Sequence, residues 1–352
     1  MFGMKTKVRH TGELLLGKMP LSTYQFLISR DVIGLFYHMV SEKVVPHTEH
    51  LYPHRDVKLF EQDLIYIKEN YDVLSFIDLL AGRMPVGREG KPAVFLSFDD
   101  GFYECYSMVR PLLLKHGLPC MFFITTNFID NQSMYYRNKV SLCIDRLLIL
   151  DTDKRRGKLA RISERYEVEL ESDESFVRWI KSITDDELID EICSILDIDI
   201  SFYLSEHKPY MSAHEINKLI SDGFTIGAHS QRHQKLGRLS EPEIKVEIVG
   251  SCDLIRSITG EKYVPFSFPN TATGIDRDYL NRILQENSTI GLLFDAKGLE
   301  LDRDFIYNRI WVESPKLNAG GSESLQHVIK TAYKDYLLQE MDRRRRSMRI
   351  KH

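Results

Sequence analysis

Residues 93–98 (Ala93, Val94, Phe95, Leu96, Ser97, Phe98) are apolar and β-prone, and Asp99, Asp100, Gly101 and Phe102 follow at once. The run is too short for a helix with such flanks and reads as a strand buried on both faces. Two carboxylates and a glycine then stand where the strand ends. Adjacent strand residues point to opposite faces, but a turn at the strand end can aim both carboxylates into one pocket. Acids that close repel, and a bound cation or a shared proton relieves the repulsion. The bland alternative makes Asp99 a turn residue and Asp100 the cap of a helix starting near Tyr103.

A second stretch bears on that choice. Residues 225–228 read as another short strand, which runs into His229, Ser230, Gln231, Arg232 and His233. Histidines four apart lie on one side of a helical turn or tight loop, a spacing that suits two imidazoles on one metal. A histidine pair alone is more often structural or solvated. Together, the two strand ends supply nitrogen and oxygen ligands with a carboxylate to spare, the composition of a catalytic metal site with open positions for water.

Phe98, Asp99, Asp100 and Gly101 resemble the first motif, and His229, Ser230 and His233 the second motif, of the polysaccharide deacetylases (the NodB-homology group, carbohydrate esterase family 4). The motif order agrees, and the resemblance spans roughly residues 31–312. It implies a distorted seven-stranded (β/α) barrel, with Asp100, His229 and His233 as ligands of a divalent metal. It also implies Asp99 as general base and Ser230 as the residue steadying the histidine loop. Zinc suits these donors, with cobalt, nickel, manganese and iron also compatible. Residues 266–270 stand for the third motif: Pro269 is kept, and the N–H of Asn270 is expected to face the oxyanion. The arginine of that motif is missing, and Arg309 is the substitute candidate as partner of Asp99. The family's C-terminal histidine, which protonates the leaving amine, is missing as well. A branch resembling the poly-β-1,6-N-acetylglucosamine deacetylases uses an early Tyr-His pair instead. Tyr37 and His38 fit that pattern, so His38 is the expected general acid; the alternative is a structural histidine bonded in the barrel mouth. The implied reaction removes acetyl groups from amino sugars of a polysaccharide or glycan precursor. The alternatives are a non-catalytic carbohydrate-binding relative, or hydrolysis of a small non-sugar amide.

Elsewhere, strand and helix signals alternate in the way that builds a parallel barrel. Residues 32–38 read as a strand ending in His38, and residues 57–70 as an amphipathic helix. Residues 73–74 form a short strand, and Ser75 caps a helix over 76–80. Residues 82–92 form a Gly/Pro-rich loop. A helix is expected over 103–116 with Gly117 at its C-terminal cap, then a strand over 120–125. After the insertion, Ser212 with Glu215, and Ser240 with Glu243, make capping boxes for two helices. Strands follow over 264–268, 289–294 and 305–312, with a helix over 276–286 between the first two. The charged, glycine-poor stretch 127–209 breaks the rhythm and reads as a helical insertion between the two metal motifs. It is either a plain subdomain on the rim or a cover for substrate. Residues 1–30 form an N-terminal extension, 31–321 the barrel, and 322–352 a basic helical tail. That tail is either a solvated end or a weak attraction to anionic lipid or a phosphate-bearing substrate. The loop histidines His47, His50 and His54 offer a second, less clean metal cluster.

With 352 residues, 43% of them hydrophobic, the chain has enough apolar material for a large core. A net charge of −4 gives no general case for nucleic-acid binding. Its five cysteines are scattered and odd in number, as expected of buried thiols in a reducing compartment. No apolar run is long enough to span a bilayer, and Leu14–Leu16, cut short by Gly17 and Lys18, makes a poor signal peptide. These features place the protein in the cytoplasm, where a lipid- or nucleotide-linked sugar is accessible and polymer is not.

Overall fold

The computed structural model describes residues 18–83, 91–318 and 322–350. The Leu14–Leu16 patch, most of the 82–92 loop and the last two residues of the tail lie outside the described residues. Eight strands form one parallel sheet: β1 (Val32–Tyr37), β2 (Asp72–Val73), β3 (Ala93–Phe98), β4 (Met121–Ile124), β5 (Thr225–Ala228), β6 (Val264–Ser267), β7 (Ile290–Asp295) and β8 (Ile306–Trp311). Their order is β1-β8-β7-β6-β5-β4-β3-β2, and a further pairing of β1 with β3 closes the ring. One edge of β3 pairs with β1 along its whole length; the other takes β2 at Ala93 and Val94 and β4 at Ser97 and Phe98. Seven strands therefore close the barrel, and the two-residue β2 fills the space below the short β4. This is the expected (β/α) barrel.

Local chemistry sets most helix limits. Val57–Asn70 is a helix capped by Asp56, and Ser75 with Asp78 makes a capping box before Phe76–Leu80. Ser212 with Glu215 and Ser240 with Glu243 do the same for later helices. Gly117 and Gly260 take φ of 66° and 70° at helix C-termini, where a side chain would be strained. The helix expected from residue 103 differs in its first turns: Cys105–Val109 is π-helical, and α geometry holds over Arg110–His116. Pro111 has no N–H to give to the carbonyl four residues back, so the ladder widens before it.

Strand alternation decides which residues enter the barrel. Phe95, Phe123, Phe294 and Tyr307 pack as a plug, with ring centroids 5.2–6.0 Å apart. Two residues further along β3 stands Ser97, and two further Asp99; on β8, Tyr307 is followed by Arg309 and Trp311. The same step on β1 takes Gly34 to Phe36 and His38. The C-terminal mouth therefore collects the polar side chains above an apolar floor.

Residues between β4 and β5 form the expected insertion, with helices Tyr136–Ile149, Thr152–Tyr166, Asp173–Ser182, Asp186–Ile195 and Ile200–His207. They have their own core, built on residues such as Cys143, Leu147, Phe176, Ile189 and Ile192. A smaller cluster (Phe102, Phe128, Tyr135, Tyr210) joins this unit to the barrel mouth. At the chain's end, Leu325–Ile350 is one helix whose Leu325, Val328, Ile329 and Tyr333 are buried in the main core. Its first turns are thus docked, and the basic run begins beyond them.

Candidate active site

At the end of β3 the chain turns sharply. Asp100 has φ of 74° and Gly101 of 83°, two left-handed residues in succession. Aspartate tolerates this region better than most side chains, and the turn brings both carboxylates to the mouth. The Asp99 N–H still donates to Tyr37 O at 2.9 Å, so its position is tied to the barrel.

Asp99 is 2% exposed and Arg309 not at all. The guanidinium forks onto the carboxylate, Nη1 to Oδ1 at 2.7 Å and Nη2 to Oδ2 at 2.9 Å. Its Nη1 and Nη2 also donate to Ser97 Oγ at 2.9 Å and Ser267 Oγ at 2.6 Å. The rings of Phe36 and Phe123 flank it, with centroids 4.5 and 5.1 Å from Cζ. Room for this side chain comes from Gly34: a Cβ there would stand 2.6 Å from Arg309 Cγ and 2.4 Å from Phe95 Cζ. Burial pushes the Asp99 carboxyl up, but Arg309 and His229 outweigh it and hold it below the ordinary range. Asp99 is therefore an anion at neutral pH.

Asp100, His229 and His233 converge beside it. His229 Nε2 and His233 Nε2 lie 3.4 and 3.0 Å from Asp100 Oδ1. The three ligand atoms are all within 4.8 Å of one another, and all three residues are buried. His229 Nδ1 lies 2.9 Å from the carbonyl of Ser267, which fixes Nδ1–H as the donor and turns the Nε2 lone pair toward the acids. Ser230, at φ of 60°, accepts the His233 N–H on its Oγ at 3.0 Å and so closes the loop between the histidines. Asp100 Oδ1 is buried without a hydrogen-bond partner. An orphaned buried carboxylate oxygen facing two imidazole nitrogens is the environment of a divalent cation, and the set fits one. Burial opposes ionisation of Asp100, yet His233 and His229 hold its carboxyl well below the usual range. Burial likewise lowers His233, keeping its imidazole neutral as a ligand must be. This is the only such three-residue group among the described residues. His47, His50 and His54 are not grouped in a second one among the described residues: His47 Nδ1 lies 3.0 Å from the Tyr203 hydroxyl, and His50 lines the pocket.

Across the pocket stands His38. Its Nδ1 is 2.8 Å from Glu313 Oε2. Glu313 is fully buried and also accepts from the backbone N–H groups of His38 and Met39 and from Trp311 Nε1. Burial alone would lower His38, but the hydrogen bond and charge of Glu313, with help from Asp100 and Asp99, raise it to about 9. Sequence reasoning missed Glu313. Its signal was an acid two residues after Trp311, at the mouth end of β8. Asn270 sits just past β6 with φ of 63°, and its N–H donates to no group among the described residues. Its loop is anchored by the Ala272 N–H on the buried Asp295, at 3.1 Å.

The site opens into one cavity of about 460 Å³, whose aromatic walls include Tyr52, Tyr135 and Trp311. Its lining brings together Asp99, Asp100, His229, His233, His38 and Asn270. Arg309 and Ser230 lie behind that set, bonded to Asp99 and to the His233 N–H, and Pro269 is not among the lining residues.

A sequence profile of the polysaccharide deacetylase family matches residues 184–292, less than half of the chain and including both histidines but not the Asp99–Asp100 pair. No curated protein sequence matches. Among solved structures, the Streptococcus pyogenes deacetylase PplD, in complex with acetate, superposes with a TM-score of 0.52 at 14% identity, covering 85% of this chain and 97% of that one. IcaB from Ammonifex degensii gives 0.51 at 14% identity, covering 86% and 97%. At such identities the likeness is one of fold. In sequence over residues 184–292 and in barrel architecture over most of its length, this chain resembles the polysaccharide deacetylases.

Proposed function

We propose that the protein hydrolyses the acetamide of N-acetylated amino sugars, releasing acetate and a free amine. One observation carries the reading. A buried carboxylate held ionised and a histidine held protonated face the same pocket as the Asp-His-His ligand group. Asp100, His229 and His233 would hold a divalent metal, which would supply polarisation of the amide carbonyl and a more acidic water. Asp99 accepts the proton of the attacking water. Arg309 keeps that carboxylate ionised and oriented between accepting and releasing the proton. The N–H of Asn270 donates to the oxygen that gains charge. His38 gives its proton to the departing nitrogen as the C–N bond breaks, and Glu313 stabilises the imidazolium until then. The aromatic walls receive the sugar ring faces. Zinc suits the donor set best. The five cysteines are all free and buried, which favours a cytoplasmic setting; among the described residues no helix is long and apolar enough to cross a membrane.

The test pairs metal content with acetate release from N-acetylglucosamine oligomers. Asp99→Asn is expected to keep metal and lose acetate release, and His229→Ala to lose the metal. Protein that takes up no metal on titration would sink the mechanism; metal without acetate from any N-acetyl sugar would point to another amide or to binding alone.

A further inference from the structure

The insertion supplies one wall of the catalytic cavity, and that wall is basic. Tyr136 and Arg137, in the first turn of Tyr136–Ile149, and Lys181, in the last turn of Asp173–Ser182, line it together with the barrel residues. Several cations of the insertion are in ion pairs: Lys139 with Asp186 and Asp190, Arg155 with Asp173, Lys158 with Asp197, Arg165 with Glu191. Arg137 and Lys181, both exposed where they line the cavity, are in no ion pair among the described residues, although Asp145 and Glu49 lie near their neighbour His50 and the Tyr135 and Tyr136 hydroxyls interact with Arg137. The Arg137 guanidinium instead lies over the Tyr136 ring, 5.5 Å from its centroid. Helix stability does not account for Arg137, because a cation in a first turn opposes the helix dipole. Nor do the two cations favour each other: burial and the nearby Arg137 charge together lower Lys181. In the lining, from the loop after β1, His50 Nε2 is buried with no partner. Two solvent-facing cations on one edge of an aromatic cavity, neither in an ion pair, suit an anion brought by the ligand.

We propose that Arg137 and Lys181 form a phosphate subsite, so that the substrate is an N-acetyl amino sugar bearing a phosphoester rather than a neutral glycan. The proposal deepens the deacetylase reading and rests on it for the acetamide. A planar guanidinium fork beside an ammonium matches a phosphate better than a lone carboxylate. The insertion then acts as the element that selects the charged substrate.

Binding tests the subsite apart from turnover. Trp311 lines the cavity and is one of two tryptophans, so fluorescence titration reports occupancy. The ligands are methyl N-acetylglucosaminide, N-acetylglucosamine 1-phosphate and UDP-N-acetylglucosamine, on wild type, Arg137→Gln, Lys181→Gln and the double variant. At least one phosphorylated ligand is expected to bind about tenfold tighter than the neutral glycoside, by an advantage that shrinks with salt and disappears in the double variant. The two phosphorylated arms separate a monoester from a nucleoside diphosphate. Equal binding of the neutral glycoside, or an advantage that survives the double substitution, would overturn the subsite. Acetate release is scored separately. Preferential binding without acetate from any ligand would leave the subsite standing and remove the deacetylase reading. Acetate from all three at equal kcat/KM would do the reverse.

Discussion

Replacing Glu313 by glutamine keeps the shape of the side chain and removes its charge. In the native protein the gap between the ordinary histidine value of 6.5 and about 9 represents roughly 3 kcal/mol of preference for the imidazolium. Burial works against that preference, so the surrounding carboxylates supply more than the net figure, and Glu313 is the one in contact, with the His38 side chain only 14% exposed. Without its charge, the alkaline limb of kcat/KM for acetate release should move down by about two pH units. At pH 8 this means about a tenfold loss of rate, while at pH 6 the variant should nearly match wild type. An NMR titration of the His38 ring should follow the same shift. The sign for stability is the same. A histidine raised on folding adds stability that is fully present below 6.5 and is lost as pH rises through about 9, so the variant should lose stability at acid and neutral pH and little above 9. A limb that stays in place, or a loss of rate that is uniform across pH, would refute the assignment of His38 as the proton donor tuned by Glu313.

Three further outcomes follow from the packing around Asp99. Arg309→Met leaves a buried carboxylate without its cation and should cost about 3–5 kcal/mol in urea unfolding. Adding Asp99→Asn to it should recover part of that loss, because the two residues form one network. Gly34→Ala drives a methyl group into Phe95 and Arg309, so a loss of about 1–3 kcal/mol is expected, with acetate release falling as Arg309 is displaced. Unchanged melting and activity in Gly34→Ala would show that Arg309 needs no such clearance.

Much of the site was legible because its residues sit where strands end. A buried apolar run has to stop at a polar residue, so Asp99, Asp100 and His229 announced themselves next to runs at 93–98 and 225–228. Helix caps were legible for the same local reason: Ser75, Ser212 and Ser240 meet their partners three residues away. The widening of the helix before Pro111 was not read in advance, although the proline that causes it stands in the sequence. Glu313 was missed because its partner, His38, lies 275 residues away in sequence.

The strand–helix alternation, the helical insertion, and the carboxylates and histidines at the strand ends were readable in the chain alone, since each depends on neighbours a few residues apart. The closure of β1 on β3 is tertiary. So are the fork of Arg309 onto Asp99 in the space left by Gly34, the charge of His38 set by Glu313, and the meeting of Arg137 with Lys181 in the cavity wall. Each joins side chains far apart in the chain, and each acquires its strength from burial, where an unpaired charge is costly and a paired one is held in a single geometry.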